Sequence, residues 1–403
     1  MRLTLVLILP VIIIDILLDW YICRAVRLHA SRNRRFWYRF AICASAVLIL
    51  FIAVITALPK KEGSNGDLLT MMWALYAYCT VFIPKAIWVL VDLIGKIPQL
   101  WHRRRIPGSS YAALVLAALT FIAMWFGVFN THRIDIEEVT FADPAVPEAF
   151  DGMRIVQISD LHTGTYGTDT TFVSSLVDRV NSLSPDLILF TGDIVNRRSD
   201  ELLPFVSVLA RLSAPMGVYS ILGNHDYGDY YRWPSTQAKE ENMQLLKDLQ
   251  AAMGWTMLNN SHRTFHSNGD SLVLIGVENI GDPPFPVYGD LDKAYPGDLD
   301  DPAFKILMTH NPVHWVEDLK ESPDKNIPLT LSGHTHAMQM SVGRSWSPAA
   351  FRYPTWGGMY GDSDDAQRLY VNIGAGEVGI PARIGATPEI TLFTLKKGSR
   401  DSR

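Results

Sequence analysis

Cysteine is scarce in this chain, and its distribution limits the available chemistry. The 403 residues include three cysteines, Cys23, Cys43 and Cys79, and none follows residue 79. The long second part of the chain therefore folds without disulfides in any redox compartment. A metal site in that part has to use nitrogen and oxygen ligands, because no thiolate is present. The three cysteines lie in or beside apolar stretches, and we interpret them as small packing residues.

Positive charge is also scarce in the second part. Residues 131–403 contain 22 Lys and Arg against 36 Asp and Glu, whereas residues 1–130 contain 14 against 5. The net charge of −5 thus combines a basic first part (+9) with an acidic second part (−14). Binding to nucleic acid usually requires a basic surface that neutralises phosphates. Nucleic acid is therefore not an expected partner, and the sequence identifies no protein partner.

Apolar residues are in excess before residue 131. The hydrophobic content of 48% and the positive mean hydropathy are too high for an ordinary soluble enzyme of this length. Four stretches are long enough to span a bilayer, namely Leu3 to Cys23, Phe40 to Leu58, Leu68 to Ile94 and Tyr111 to Phe129. A cleaved signal peptide is the alternative for the first stretch, but Asp15 and Asp19 interrupt it. We predict four transmembrane helices in contact with the lipid bilayer, with an Asp15–Lys85 pair as one way to hold the intramembrane charges.

The Lys and Arg residues of the loops predict the orientation of these helices. The first loop carries six Arg, and the third carries Lys96 and three Arg. The second loop has two Lys, offset by Glu62 and Asp67. We therefore expect the first and third loops to be cytoplasmic. That orientation puts the part after residue 130 on the extracytoplasmic face of a plasma or inner membrane.

An α/β pattern follows the apolar part. Residues 131–152 contain two prolines and an alternation typical of an edge strand, which predicts a linker with a strand that leads into the next domain. Strand-length apolar runs then alternate with helical patterns at Phe172–Leu183, Leu202–Leu212 and Glu240–Met253. The runs are Arg154–Ile158, Leu187–Phe190, Val218–Leu222, Phe304–Met308 and Leu329–Leu331. We therefore divide the chain into a membrane domain (1–130), the linker (131–152), an α/β domain (153–397) and a polar tail (398–403).

Side chains that bind metal ions follow each of these apolar runs. In chain order they are Asp160 and His162, then Asp193, then Asn224 with His225 and Asp226, then His310, and finally His334 and His336. Strands that end side by side bring their following turns into one crevice. Two divalent ions about 3.5–4 Å apart need a bridging carboxylate, imidazoles and a carboxamide oxygen. The pattern therefore predicts a two-metal phosphoesterase centre, with Asp193 as the natural bridge because Gly192 permits a sharp turn.

Each motif taken alone has a simpler interpretation. An Asp-x-His or a Gly-Asp is more often a turn or a helix cap than a ligand pair. All five motifs in this order, each after an apolar run, make that interpretation improbable. His314 is the rival to His310, which we favour because it directly follows a strand.

The chain resembles the calcineurin-like metallophosphoesterases, and within them a membrane-attached branch. The resemblance rests on Ile158 to His162, Pro185 to Asp193, and Ser332 to His336. It implies a four-layer α/β/β/α sandwich of two mixed sheets. It also implies a first ion held by Asp160, His162 and His336, a second held by Asn224, His310 and His334, and Asp193 on both. Related enzymes often continue the last motif with Gly-Gly-Gln, where this chain has Ala337, Met338 and Gln339.

The resemblance also implies a mechanism. Two divalent ions, Mn, Fe or Zn, would neutralise the phosphate and activate a hydroxide for in-line attack. His225 resembles the family histidine that faces the scissile phosphate, and we expect it, held by Asp226, to protonate the leaving oxygen. Arg383 has two interpretations, a contact to a substrate phosphate or a surface salt bridge.

Two aromatic segments, Gly281–Asp301 and Trp346–Tyr360, are candidates for contact with lipid or for a packed lid. The predicted function is hydrolysis of a phosphodiester or pyrophosphate bond by a membrane-anchored enzyme, with a lipid-linked substrate as the most attractive case. The alternatives are a broad phosphomonoesterase and a non-catalytic scaffold of the same fold.

Overall fold

The computed structural model describes residues 5–27, 62–283, 285–297, 303–320, 325–361 and 366–399. The described residues up to Val128, together with Gly379–Ala382, form one compact unit. Phe129–Val378 and the residues from Arg383 form a second unit. The predicted span Phe40–Leu58 lies outside the described residues.

The first unit is built from long apolar helices. These are α1 (Leu5–Arg27), α2 (Asn65–Lys96) and α3 (Ser109–Asn130). The last two residues of α3 belong to the second unit. Ser64 begins α2 with a capping box, since its side chain accepts from the Asp67 N–H and the Asp67 carboxylate accepts from the Ser64 N–H. Within the described residues, Asn65–Trp101 and Ser109–Asn130 are long and apolar enough to cross a membrane.

Charged side chains of α1 and α2 pair with each other. The Lys85 ammonium lies 2.5 Å from Asp15 Oδ1 and 2.9 Å from Asp19 Oδ1. The predicted Asp15–Lys85 pair is therefore confirmed. Pairing of this kind is how charges are usually accommodated within apolar helices.

The second unit contains two six-stranded sheets and short helices. The strands are β1 (Asp135–Asp143), β2 (Arg154–Ile158), β3 (Leu187–Phe190), β4 (Val218–Ser220), β5 (Thr256–Met257), β6 (Ser261–Ser267), β7 (Asp270–Gly276), β8 (Phe304–Met308), β9 (Leu329–Ser332), β10 (Gly358–Tyr360), β11 (Arg368–Val371) and β12 (Glu389–Lys397). The helices are α4 (Thr171–Ser182), α5 (Val206–Leu209), α6 (Thr236–Ala252) and α7 (Leu291–Ala294). The observed α4, α6 and all five predicted strands lie within a few residues of their sequence-based ranges.

Both sheets are mixed, as predicted. The first has the order β1-β12-β2-β3-β4-β5, and only the β12–β2 pair is antiparallel. The second has the order β10-β11-β9-β8-β7-β6, with a parallel centre and antiparallel outer pairs. The strand from the linker, β1, forms one edge of the first sheet.

Three apolar cores define four layers. Between the sheets, side chains such as Ile155 and Phe393 share a core with Leu274 and Ile306. On the outer face of the first sheet, α4 buries Phe172, Val173, Leu176, Val177 and Val180, whose helical spacing forms one apolar face. On the outer face of the second sheet, Trp315 and Leu319 cover Ile275 and Leu307. The helix expected over Leu202–Leu212 is a 3₁₀ segment, Ser199–Phe205, followed by α5, because Pro204 interrupts α-helical hydrogen bonding.

Candidate metal centre

Five turns meet beyond the carboxyl ends of β2, β3 and β4 in the first sheet and of β8 and β9 in the second. The Asp160 N–H donates to the Gly192 carbonyl at 2.9 Å, and the Gly333 N–H donates to the His310 carbonyl at 3.0 Å. Backbone hydrogen bonds therefore join neighbouring turns, and the side chains that follow the strands are held near one another.

The first cluster consists of Asp160, His162 and His336, which are all buried. His162 Nε2 and His336 Nε2 are 3.0 Å apart, and His336 Nε2 is 3.2 Å from Asp160 Oδ1. Three ligand-type atoms therefore face one small volume. Such an arrangement favours a shared proton or a cation, since lone pairs repel each other otherwise.

The second cluster consists of Asn224, His310 and His334. His334 Nδ1 lies 2.8 Å from Asn224 Oδ1 and 3.3 Å from His310 Nε2, and His310 Nε2 lies 3.2 Å from Asn224 Oδ1. His310 Nδ1 faces the Thr191 carbonyl at 2.8 Å, so this nitrogen carries a proton and Nε2 is the ring nitrogen that faces the cluster. The arrangement matches the ligand set that a divalent cation prefers.

Asp193 stands between the two clusters. Its Oδ2 is 3.2 Å from His310 Nε2 and 3.7 Å from His162 Nε2. Within each of three groups of His and Asp residues, one ligand atom per residue lies within 4.8 Å of the others, and the groups are Asp160–His162–His336, Asp193–His310–His334 and His162–Asp193–His225. The residues present therefore fit a pair of divalent ions that share one carboxylate.

Protonation states also bear on cation binding. Although burial lowers it, the nearby Asp193 carboxylate raises the pKa of His310 to about 9, so an ion bound there would displace the proton on Nε2. Burial and the nearby His310 lower the pKa of His334 to about 3. Although burial acts in the opposite direction, the charge of His310 and other neighbouring histidines holds the pKa of Asp193 well below its ordinary value. At neutral pH, His334 is neutral and Asp193 is ionised, as metal ligation requires.

Several residues of the two clusters, and Asp193 between them, adopt an unusual backbone conformation. Five of them have positive φ, namely Asp160 (54°), His162 (48°), Asp193 (58°), His334 (74°) and His336 (49°). This region costs non-glycine residues roughly 1–3 kcal/mol each, and such strain concentrates at functional sites. The surrounding hydrogen bonds and packing therefore maintain a geometry that the local sequence disfavours.

Two glycines allow the turns to approach. Gly192 has φ +98°, and a Cβ there would lie 2.6 Å from the Gly223 nitrogen. A Cβ on Gly223 would lie 2.2 Å from Asp193 Oδ1. Neither position has room for a side chain next to Asp193.

His225 is half-buried beside Asp193. Its N–H donates to Asp193 Oδ1 at 2.8 Å, and its Nδ1 lies 2.7 Å from the Asn196 carbonyl. Because a carbonyl can only accept, Nδ1 carries a proton. The ring stacks on Tyr230 with centroids 4.3 Å apart. Burial lowers the pKa of His225, so the imidazole is neutral before substrate binds.

The prediction that Asp226 holds His225 is wrong. The Asp226 carboxylate instead accepts four backbone hydrogen bonds of 2.8–3.2 Å, from Gly223, Asp193, Ile194 and Val195. Asp226 thus fixes the turn that carries Asp193, and the Asn196 carbonyl orients the imidazole. Adjacency in sequence was misleading because the chain turns between the two side chains.

Arg383 lies deeper than either sequence interpretation supposed. Its side chain is fully buried and donates to the carbonyls of Gly376, Ile373 and Ala386 at 2.6–3.1 Å. One of its terminal nitrogens lies 3.2 Å from His336 Nδ1. A surface salt bridge is therefore wrong for this residue, and a phosphate contact would require the guanidinium to leave these carbonyls.

Two nearby contacts were not assigned from the sequence. Tyr353 places its hydroxyl 3.0 Å from His334 Nε2, and Tyr230 accepts a hydrogen bond of 2.9 Å from Asn224 Nδ2. The aromatic composition of its segment could have drawn attention to Tyr353, whereas no sequence pattern singled out Tyr230. His314, the rival ligand, faces Thr309 Oγ1 at 3.0 Å and belongs to neither cluster.

The comparisons with known proteins agree with this fold and site. Residues 153–338 match the family described as Calcineurin-like phosphoesterase. Residues 1–132 match Probable Calcineurin-like phosphoesterase, transmembrane domain. The chain therefore belongs to the calcineurin-like metallophosphoesterases, which are metal-dependent phosphate hydrolases, and it carries an N-terminal domain of four transmembrane helices.

Particular relatives support the same assignment. The chain is 31% identical over 305 residues to the uncharacterized metallophosphoesterase YkuE of Bacillus subtilis, covering 73% of this chain and 97% of that protein. It is 30% identical over 320 residues to the transmembrane protein with metallophosphoesterase domain of Danio rerio, covering 75% and 68%. It is 26% identical over 270 residues to the UDP-2,3-diacylglucosamine pyrophosphatase LpxG of Chlamydia muridarum, covering 57% and 77%. The predicted family, fold class and hydrolase activity are thus confirmed.

Proposed function

We propose that this membrane protein hydrolyses a pyrophosphate or phosphodiester bond of a lipid-linked substrate. The observation that carries the proposal is the position of Asp193, whose carboxylate serves two adjacent clusters of ligand-type atoms. A shared carboxylate is the arrangement that two-metal phosphate hydrolases need. The printed name of the LpxG relative, a pyrophosphatase of a diacylated nucleotide sugar, supports the choice of substrate class.

The two clusters would hold one divalent ion each. Asp160, His162 and His336 would hold the first, Asn224, His310 and His334 the second, and Asp193 both. Manganese, iron and zinc all suit these nitrogen and oxygen ligands. When bound, the ions supply charge neutralisation of the phosphate and activation of the attacking water.

His225 would handle the proton of the leaving group. Its Nδ1 is committed to the Asn196 carbonyl, so Nε2 is the nitrogen that exchanges a proton with substrate. Burial keeps the imidazole neutral in the free enzyme. The negative charge of a bound phosphate opposes that effect and favours the imidazolium, which then donates a proton from Nε2 to the departing oxygen.

The lipid part of the proposal rests on confinement and exposed apolar side chains. A substrate in the same bilayer as the transmembrane domain is met at high effective concentration. In the aromatic segment that contains Tyr353, Trp346 is 44% exposed and Phe351 is 86% exposed. Aromatic side chains with one apolar and one wet side are typical of membrane interfaces. The loop charges favour a catalytic domain on the extracytoplasmic face.

The proposal is tested by assaying the full-length protein in detergent with Mn²⁺. A lipid pyrophosphate, a lipid phosphodiester and a soluble phosphomonoester should be compared under identical conditions. We expect hydrolysis of the lipid pyrophosphate or diester to exceed that of the monoester, and Asp193→Ala to abolish it. A preference for soluble monoesters would favour the alternative of a broad phosphomonoesterase. No hydrolysis of any of them by metal-loaded protein would contradict the proposed substrate class.

A further inference from the structure

His334 uses its two ring nitrogens on different sides. Nδ1 faces Asn224 Oδ1 and His310 Nε2 in the second cluster, while Nε2 faces the Tyr353 hydroxyl at 3.0 Å. The two rings meet edge to face, with centroids 5.4 Å apart. Tyr353 is therefore the group that the described structure presents to the side of His334 remote from the cluster.

The tautomer of His334 connects these two contacts. For Nδ1 to offer a lone pair to a cation, the neutral imidazole has to carry its proton on Nε2. That N–H needs an acceptor, and the Tyr353 oxygen supplies it. Ligand histidines commonly donate their second N–H to such a partner, which fixes both tautomer and ring orientation.

Tyr353 has its own partner beyond the imidazole. Arg352 lies over the Tyr353 ring, with its guanidinium carbon 5.4 Å from the ring centroid. Arg352 Nη2 also donates to Oδ2 of the buried Asp282 at 2.8 Å. A cation over an aromatic face is attracted to it, so Arg352 helps to hold the phenol beside His334.

We propose that Tyr353 is a positioning residue that fixes the tautomer and orientation of His334, and so sets the affinity of the second cluster for a divalent ion. The inference rests on the proposed two-ion function. It assigns the aromatic segment Trp346–Tyr360 a second task besides any contact with lipid. The segment, through its Tyr353 hydroxyl, tunes the metal centre.

The test compares two variants that each remove one hydroxyl from the same segment. Tyr353→Phe deletes the contact to His334 and keeps the ring. Tyr360→Phe is the matched control, because its hydroxyl accepts from the backbone N–H groups of Trp356 and Gly357 and has no contact with the clusters. Mn²⁺ is titrated into the metal-free full-length proteins in detergent, in competition with a fluorescent chelator. The unfolding temperatures of the metal-free forms are measured in parallel.

We expect one of the two Mn²⁺ dissociation constants to rise roughly 10- to 100-fold in Tyr353→Phe, with the other unchanged. We expect Tyr360→Phe to bind Mn²⁺ like the unaltered protein, and all metal-free forms to unfold at similar temperatures. Unaltered constants in Tyr353→Phe, or equal losses in both variants, would overturn the positioning role and leave the hydrolase proposal standing. If the unaltered protein bound no Mn²⁺, Zn²⁺ or Fe²⁺, both proposals would fail.

Discussion

Asp226 holds the turn that carries Asp193. It is fully buried, and its carboxylate receives four backbone hydrogen bonds, including those from Gly223 and Asp193. Burial and the charge of Asp193 raise the pKa of Asp226 to about 7, while the backbone N–H groups favour its ionised form. The four hydrogen bonds hold the turn in which Asp193 has its left-handed conformation.

His225 is expected to matter most when the leaving group is poor. His225→Ala removes the proposed proton donor, so hydrolysis of alkyl esters should fall by about 10²–10⁴. Activated aryl esters need little protonation and should be affected much less. Steady-state rates on a matched pair of esters measure the difference. Equal losses on both would instead indicate that His225 only positions the phosphate.

His314 makes the stability of the catalytic domain depend on pH. Burial and the charge of Lys325 lower its pKa to about 4 in the folded state. The unfolded chain binds this proton at higher pH, so the stabilisation is complete above about pH 6.5 and is lost as pH falls toward 4. The shift corresponds to at most about 3 kcal/mol.

The measurement is the unfolding temperature of the unaltered protein and His314→Gln between pH 7.5 and 5. Between pH 7.5 and 5 we expect the unfolding temperature to fall less for His314→Gln than for the unaltered protein, since glutamine takes up no proton. The other titrating groups are common to both proteins and cancel in the comparison. Identical pH slopes would show that His314 does not carry the effect.

Residue types were predictable at this site, but their partners were not. Asp160, Asp193 and the histidines of the last motif were selected by chemistry and by their place after strands. Their positive φ values and the true acceptor for His225, the Asn196 carbonyl, depend on how separate turns meet. No local pattern contains that information, and this is why Asp226 was assigned the wrong task.

The turn after β9 carries backbone strain that its sequence does not relieve. His336, Ala337, Met338 and Gln339 have φ values of 49°, 50°, 46° and 55°, which is the left-handed region. Related enzymes often have Gly-Gly at the positions of Ala337 and Met338, and glycine adopts this conformation without a steric penalty. Ala337 and Met338 therefore differ from glycine, the residue type that the geometry of this turn favours.

Met338→Gly is therefore expected to stabilise the catalytic domain by roughly 1 kcal/mol, because the left-handed conformation costs other residues about that amount. Its side chain is 45% exposed, so little packing is lost. Met359→Gly in β10 is the control, since glycine weakens a strand and should lower the unfolding temperature. A lower unfolding temperature for Met338→Gly would show that the side chain contributes more than the strain costs.

Elements with a strong apolar pattern were predicted well. The β2, β3 and β8 ranges agree with the sequence, because buried parallel strands show as continuous apolar runs. The segment Leu202–Leu212 was mistaken for one helix, since its apolar spacing hid the effect of Pro204. The loop of Tyr353 had no periodic pattern, so only its aromatic content was visible.

The two domains of the molecule carry net charges of opposite sign. The transmembrane part is basic and the catalytic part is acidic, and only four residues separate α3 from β1. A connection of four residues leaves β1 on the side of the membrane where α3 ends. From the loop charges we propose that this side is the extracytoplasmic face.

Protease added to intact spheroplasts that express the full chain tests this orientation. We expect the catalytic domain to be cleaved or released, whereas a cytoplasmic reporter protein stays intact. Protection of the domain until the membrane is opened by detergent would place it in the cytoplasm and contradict the orientation derived from the loops.

The most direct test of the central claim is the number of divalent ions bound per chain, measured by elemental analysis of the purified full-length protein and of Asp193→Ala. The account predicts two ions in the unaltered protein, and loss of both metal occupancy and Mn²⁺-dependent hydrolysis in the variant. A single bound ion, or hydrolysis that survives Asp193→Ala, would contradict a centre built on one shared carboxylate.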